Sequence, residues 1–159
     1  MKPMLRAMAP EDAPGCAAIV CASEIGERYG FEPERLAATL LSALASGSGE
    51  LFVAEAGGAL AGFAWIDPRG AFSTAPYLRL IAVDEDLRGS GVGAALLAAF
   101  ETRTAAVGRD FCLLVSDFNL GAQAFYEKKG YRKAGALPDF AREGITEILM
   151  VKRRGAGAA

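Results

Sequence analysis

The stretch that most limits what this chain can become is residues 77–97, "YLRLIAVDEDLRGSGVGAALL". Its first seven residues, apolar apart from Arg79 and mostly long or β-branched, predict a strand over 77–83. Its end is an alanine- and leucine-rich run that predicts a helix reaching to about Val107. Between them Gly89, Gly91 and Gly93 stand where that helix should begin. A glycine inside a helix costs roughly 1 kcal/mol relative to alanine, so the cluster asks for a reason. One reason is that something approaches the backbone too closely for side chains to be present. A helix start offers unpaired N–H groups and partial positive charge, so the visitor that fits is an anion, commonly a phosphate.

The rest of the chain alternates in the same manner. A short strand is predicted at 4–8, then a helical stretch ending near Gly30, then a second helix from Pro33 to just before Gly47. "ELFVAEA" and "ALAGFAWID" read as a β-hairpin joined at Gly57-Gly58. A loop carrying Pro68, Gly70 and Pro76 leads to the strand at 77–83. "FCLLVS" (111–116) is apolar almost throughout and predicts a strand buried on both faces. A short helix at 121–130 and two strands, "YRKAGAL" and "ITEILMVKR", complete the order β-α-α-β-β-β-α-β-α-β-β. That order predicts a mixed α/β sheet with helices on both faces. With no composition shift, residues 1–154 read as one domain and 155–159 as a disordered tail.

Composition removes whole classes of chemistry. The 159 residues include no histidine, so Ser-His and Cys-His nucleophile pairs and imidazole zinc sites are excluded. Cys16, Cys21 and Cys112 have no metal-binding spacing and read as buried free thiols. A net charge of −2 with mixed signs leaves no footprint for nucleic acid. No apolar run is long enough for a membrane span or a signal peptide, so a cytoplasmic protein without a membrane partner is expected. Catalysis, if present, must come from carboxylates, tyrosines, lysines, water or backbone groups.

Three phosphate-binding schemes compete for the glycines. A nucleoside-triphosphate loop needs Lys and Ser or Thr after its last glycine, and Ala94-Ala95 follow here. The dinucleotide pattern G-x-G-x-x-A is met by Gly89, Gly91 and Ala94, with Asp110 or Asp117 at a suitable distance for a ribose. Its context is wrong, because "DEDLR" separates the strand from the glycines and more than half the chain precedes them. The third is taken up below, and the alternative to all of them is a glycine-rich turn with tight helix packing and no ligand.

Residues 81–97, "IAVDEDLRGSGVGAALL", resemble the acyl-CoA segment of the GNAT superfamily of N-acetyltransferases, with Arg88, Gly91 and Gly93 in its fixed places. A second block, "NLGAQAFYEKKGY" (119–131), resembles that family's late motif at Asn119, Ala122, Phe125, Tyr126, Glu127, Lys128, Gly130 and Tyr131. The resemblance covers nearly the whole chain. It implies the GNAT acyl-CoA N-acyltransferase fold, a mixed, mostly antiparallel sheet of about seven strands with about four helices on both faces.

It also implies acetyl-CoA as acyl donor and a primary amine of a small molecule or peptide as acceptor, with no metal. A homodimer is left open. N–H groups from Arg88, Gly89, Ser90, Gly91, Val92, Gly93 and Ala94 would receive the pyrophosphate. Backbone groups of Ile81 and Val83 would hold the pantetheine arm as an added strand would. The N–H of Ala82 or Val83 would face the oxyanion. Tyr126 would protonate the leaving thiolate, Asn119 would bind pantetheine or order its loop, and Phe125 would pack nearby. The family's usual base positions correspond to Tyr77 and Leu114, which leaves no obvious base. Glu24, Asp67, Asp139 and Glu143 remain as carboxylates able to act through water. Residues 24–31 and 137–144 would line the acceptor side. A non-catalytic acyl-CoA-binding or sensing module is the alternative.

Overall fold

The computed structural model describes residues 2–155, so the expected disordered tail lies outside the described residues except for Gly155. The elements are β1 (Met4–Ala7), α1 (Ala13–Cys21), α2 (Glu24–Tyr29), α3 (Pro33–Ser46), β2 (Glu50–Ala56), β3 (Ala59–Ala71), β4 (Ala75–Val83), α4 (Val92–Arg103), β5 (Asp110–Ser116), α5 (Leu120–Lys128), β6 (Arg132–Pro138) and β7 (Thr146–Arg153). The strands form one seven-stranded sheet in the order β1-β2-β3-β4-β5-β7-β6. Its β4–β5 pairing is parallel and the β1–β2, β2–β3, β5–β7 and β6–β7 pairings are antiparallel.

The helical stretch read as a single element before Gly30 is two. Ser23 ends one helix and starts the next: its hydroxyl donates to the Val20 carbonyl at 2.5 Å and accepts the Gly26 N–H at 3.3 Å. Gly26 permits the sharp junction, since a Cβ there would lie 2.4 Å from the Val20 oxygen. The loop expected around Pro68, Gly70 and Pro76 is instead mostly strand. β3 and β4 extend into a hairpin whose turn uses Phe72 and Ser73 at φ 54° and 58°. Such turns normally advertise themselves with Gly, Asn or Asp, which is why the sequence did not announce this one. The helix expected to reach Val107 ends at Arg103.

The chain divides into two compact units, one running to Asp67 and including Leu80–Arg103, the other comprising Pro68–Arg79 and the segment from Thr104. In the first, β2 and β3 pair Leu51 with Trp65 and Val53 with Phe63. These four pack with Met8, Ala13, Cys16, Val20, Leu40 and Ala43 from the β1–α1 segment, α1 and α3, and with Leu80 and Ala82 of β4. Alternation sends Phe52 and Gly62 to the opposite face. There Arg103 of α4 lies 4.7 Å over the Phe52 ring, and Leu96 lies against Gly62.

In the second unit, β4 meets β5 at Tyr77↔Cys112 and Leu78↔Leu113. β5 pairs with β7 from Asp110↔Arg153 to Ser116↔Glu147, and β7 with β6 from Arg132↔Val151 to Pro138↔Thr146. One face of this sheet carries Ala71, Ala75, Tyr77, Cys112, Leu149 and Val151 in mutual contact. No helix among the described residues is long and apolar enough to cross a membrane.

Candidate active site

In the first unit, the end of β4 and the loop behind it form one continuous feature. Ile81, Ala82 and Val83 are half-buried strand residues. The loop is tied to β3 where the Asp84 N–H meets the Ala61 carbonyl at 2.8 Å. Asp84 then accepts the Asp86 N–H at 3.0 Å and starts a 3-10 turn over Glu85–Leu87. Ser90 closes it, with its N–H 3.2 Å from the Leu87 oxygen and its hydroxyl donating to the same atom.

That closure corrects one part of the sequence reading. The N–H of Ser90 is committed inside the loop, and that of Arg88 reaches the Glu85 oxygen at 3.4 Å. The donors therefore do not run unbroken from Arg88 to Ala94. The first intrahelical bond at this end runs from the Ala95 N–H to the Gly91 carbonyl at 3.0 Å. Val92, Gly93 and Ala94 thus present the first-turn N–H groups that a helix leaves without intrahelical partners.

The glycines also divide by role. Gly89 and Gly91 have φ of +81° and +96°, a region that penalises any side chain, and a Cβ at either would meet nothing within 4 Å. Their backbone shape needs glycine, and the space beside them is open. An extended anion fits this open, N–H-presenting surface, where the helix dipole contributes about 0.3–1 kcal/mol of attraction. Beside it, Gly62 is obligatory for another reason: a Cβ there would lie 2.5 Å from the Ala82 oxygen.

In the second unit, Asn119 caps α5, its side-chain oxygen accepting the Ala122 N–H at 3.2 Å. Gln123, buried one turn later, donates from Nε2 to the Ser116 and Asp117 carbonyls at 3.0 and 3.1 Å. α5 is thereby fastened to the end of β5. Tyr126 is 6% exposed and packs edge-on against Tyr131 at 5.8 Å and Phe125 at 5.3 Å. Its carbonyl accepts the N–H groups of Lys129 and Tyr131, both at 3.0 Å, as the chain reverses through Gly130 at φ +97°. The late motif thus has a local structural meaning: a cap, a clamp, and a glycine reversal that returns Tyr131 onto Tyr126. Burial pushes the Tyr126 phenol well above its ordinary value, so it remains protonated at neutral pH.

The carboxylates separate clearly. Glu24 pairs with Arg28 on the surface of α2 at 3.2 Å. Asp139 braces its own loop, accepting the Gly144 N–H at 2.6 Å, and Glu143 is exposed. Asp67 is half-buried on β3. Among the described residues, the one acidic side chain in the buried class is Glu147 on β7, 6% exposed, which the sequence reading passed over. Its signal was present: Glu147 stands in the alternation that continues with Leu149 and Val151. Tyr77 is unsuited to proton abstraction, because burial raises its phenol, an effect that the Arg79 charge opposes and the Glu147 charge reinforces by a smaller amount.

The thiols offer no alternative nucleophile. Burial pushes Cys16 up to about 12 and raises Cys112 as well. Cys21, expected to be buried, is only partly so, and burial raises it too. Among the described residues no cluster of three or more acidic or cysteine side chains could hold a metal.

Residues 47–133 match the acetyltransferase (GNAT) domain family. The blasticidin-S acetyltransferase of Streptomyces morookaense is 36% identical over 76 residues, which cover 48% of this chain and 55% of that protein. The chain spans about half the length of the curated relatives it matches. Among solved structures, Ard1 from Thermoplasma volcanium aligns with a TM-score of 0.77 at 24% identity, over 96% of this chain and 98% of that one. An aminoglycoside 6'-N-acetyltransferase complexed with coenzyme A aligns with a TM-score of 0.73 at 18% identity, over 94% and 96%. The chain belongs to the GNAT acetyltransferase family.

Proposed function

We propose that this protein transfers the acetyl group of acetyl-CoA directly to a primary amine of a small molecule or peptide. The observation that carries the reading is the loop at 84–94: an open backbone surface ending in the first-turn N–H groups of α4, within the family match. Val92, Gly93 and Ala94, with Gly89 and Gly91 shaping the approach, receive the pyrophosphate, and Arg88 and Ser90 flank it. The backbone of Ile81 and Val83 holds the pantetheine arm, and the N–H of Ala82 or Val83 stabilises the charge that develops on the thioester oxygen. Asn119 orders the start of α5, Phe125 packs beside the coenzyme, and Tyr126 protonates the departing thiolate.

A phenol held protonated by burial suits an acid and not a base. Direct transfer is supported by the raised thiols and the absence of histidine, which leave no activated side chain to carry an acyl group.

The test is a parallel calorimetric titration of acetyl-CoA, CoA and NAD, followed by thiol-release assays over an amine panel. Acetyl-CoA should bind and NAD should not. Tyr126→Phe should lower kcat by about 10²–10⁴ and leave acetyl-CoA affinity unchanged. An unaltered kcat in that variant would remove Tyr126 from the acid role. Tight acetyl-CoA binding without transfer to any amine would identify a sensing module instead.

A further inference from the structure

The net charge of −2 conceals a division. The first unit carries six Lys and Arg against thirteen Asp and Glu, and the second carries eleven against six. Within the second unit the charges divide again along the strands. Asp117, Asp139, Glu143 and Glu147 stand where β5 and β6 end and β7 begins. Cations gather at the opposite end, where Asp110↔Arg153 and Arg132↔Val151 set the starts of β5 and β6 beside the end of β7. A Cβ on Gly130 would lie 3.4 Å from the Lys152 Cε, which brings the end of α5 there as well. A Cβ on Gly108 would lie 2.8 Å from the Thr74 oxygen, which adds the tip of the β3–β4 hairpin. The two acids at this end are already matched, Asp110 to Arg153 at 2.6 Å and Glu127 to Lys133 at 3.9 Å. Arg109, Lys128, Lys129 and Arg132 are exposed and form no ion pair among the described residues.

Phe72 stands at that hairpin tip, 83% exposed. Its ring adds nothing to a core, and its φ of 54° lies in a region that disfavours bulky side chains. Glycine or asparagine would make the same turn with less strain, so neither packing nor backbone shape accounts for a phenylalanine. A ring that stacks on a nucleobase rests one face on the protein, whereas Phe72 stands clear on both. One projecting ring among dispersed cations is the complement of a surface that is anionic outside and apolar beneath. We infer that this end of the second unit binds an anionic lipid surface, with Phe72 immersed at the acyl boundary and Arg109, Lys128, Lys129 and Arg132 against the headgroups. The expectation of no membrane partner came from charge summed over the whole chain, which hides this end. The inference goes beyond acetyl transfer and does not depend on it.

Vesicle flotation of the full chain tests it. Vesicles of phosphatidylcholine with about 30% phosphatidylserine should carry the protein, and phosphatidylcholine alone should bind about tenfold or more weakly. Phe72→Asn, whose side chain tolerates the turn, should keep or raise Tm while weakening binding by about tenfold or more. Arg109→Gln combined with Arg132→Gln should weaken it by about 20-fold or more, about fivefold for each cation. The emission of Phe72→Trp should shift to the blue on anionic vesicles and be quenched by brominated acyl chains, against the constant signal of buried Trp65. Failure of wild type to float with the anionic vesicles overturns the proposal. So does flotation unchanged in both sets of variants, and loss in the arginine variant with none in Phe72→Asn overturns the insertion. Capture of a uridine oligomer of about 20 nucleotides in preference to the vesicles, lost in the same variants, overturns the lipid assignment in favour of nucleic acid.

Discussion

Replacing Gly62 by alanine probes the contact on which the proposed acyl site depends. The added Cβ would lie 2.5 Å from the Ala82 oxygen, 3.3 Å from the Val83 Cα and 3.3 Å from a Leu96 methyl. A carbon facing a carbonyl oxygen normally stops near 3.3 Å, so the first contact is about 0.8 Å too short. Leu96 can rotate away, but the other two atoms are backbone, and β4 must move. Overpacking of this kind costs about 1–3 kcal/mol, offset by about 0.4–1 kcal/mol from stiffening the unfolded chain. Mid-range values leave a net loss of about 1.3 kcal/mol, or a Tm lower by about 3–5 °C for a chain of this size. Since the displaced atoms belong to the residues proposed to hold the thioester, kcat should also fall, by up to about 10². Thermal unfolding followed by circular dichroism, with thiol release in parallel, measures both. Gly121→Ala, at a helical glycine whose Cβ meets nothing within 4 Å, should shift stability in the opposite direction. A Gly62→Ala protein that melts and turns over like wild type would refute the packing described for β3 and β4.

Three further outcomes are expected elsewhere. The Arg6 guanidinium, bonded to Asp12 at 2.7 and 2.9 Å, holds the Asp12 carboxyl below its usual range. The stability this contributes is present above the unfolded carboxylate value and lost as pH falls through the depressed folded one. Asp12→Asn should therefore flatten the fall of Tm below about pH 5, and an unchanged profile would count against the pair. At pH 8, an alkylating reagent should label Cys21 first, with Cys16 and Cys112 reacting only as the fold opens; fast labelling of Cys16 would contradict its burial. Gln123→Leu removes the donor to the Ser116 and Asp117 carbonyls and should cost about 1–3 kcal/mol, with faster hydrogen exchange at the end of β5.

Legibility in the sequence followed the range of the physics that sets each feature. The strand, glycine loop and helix of 77–103 were readable because each is written in its own residues, as was the Gly57-Gly58 turn. The Phe72-Ser73 turn was hidden because a left-handed backbone on those residues is imposed by the strands they join. The commitment of the Ser90 N–H to Leu87 was hidden too, since motif spacing counts residues and not hydrogen bonds. Glu147 was missed for the opposite reason. Its alternation with Leu149 and Val151 was visible, but reading the strand as apolar passed over the exception inside it. Gly62 shows the limit most clearly: its obligation comes from Ala82, twenty residues on.

The closure of the glycine loop by Ser90 and Leu87 bears on how quickly an anion can be captured. The mould is set by the chain's own hydrogen bonds before any visitor arrives, so little ordering remains to be done at the moment of contact. Capture should then proceed at a rate set by encounter, with no lag from loop rearrangement, and discrimination between acyl donors should emerge in how long each one stays.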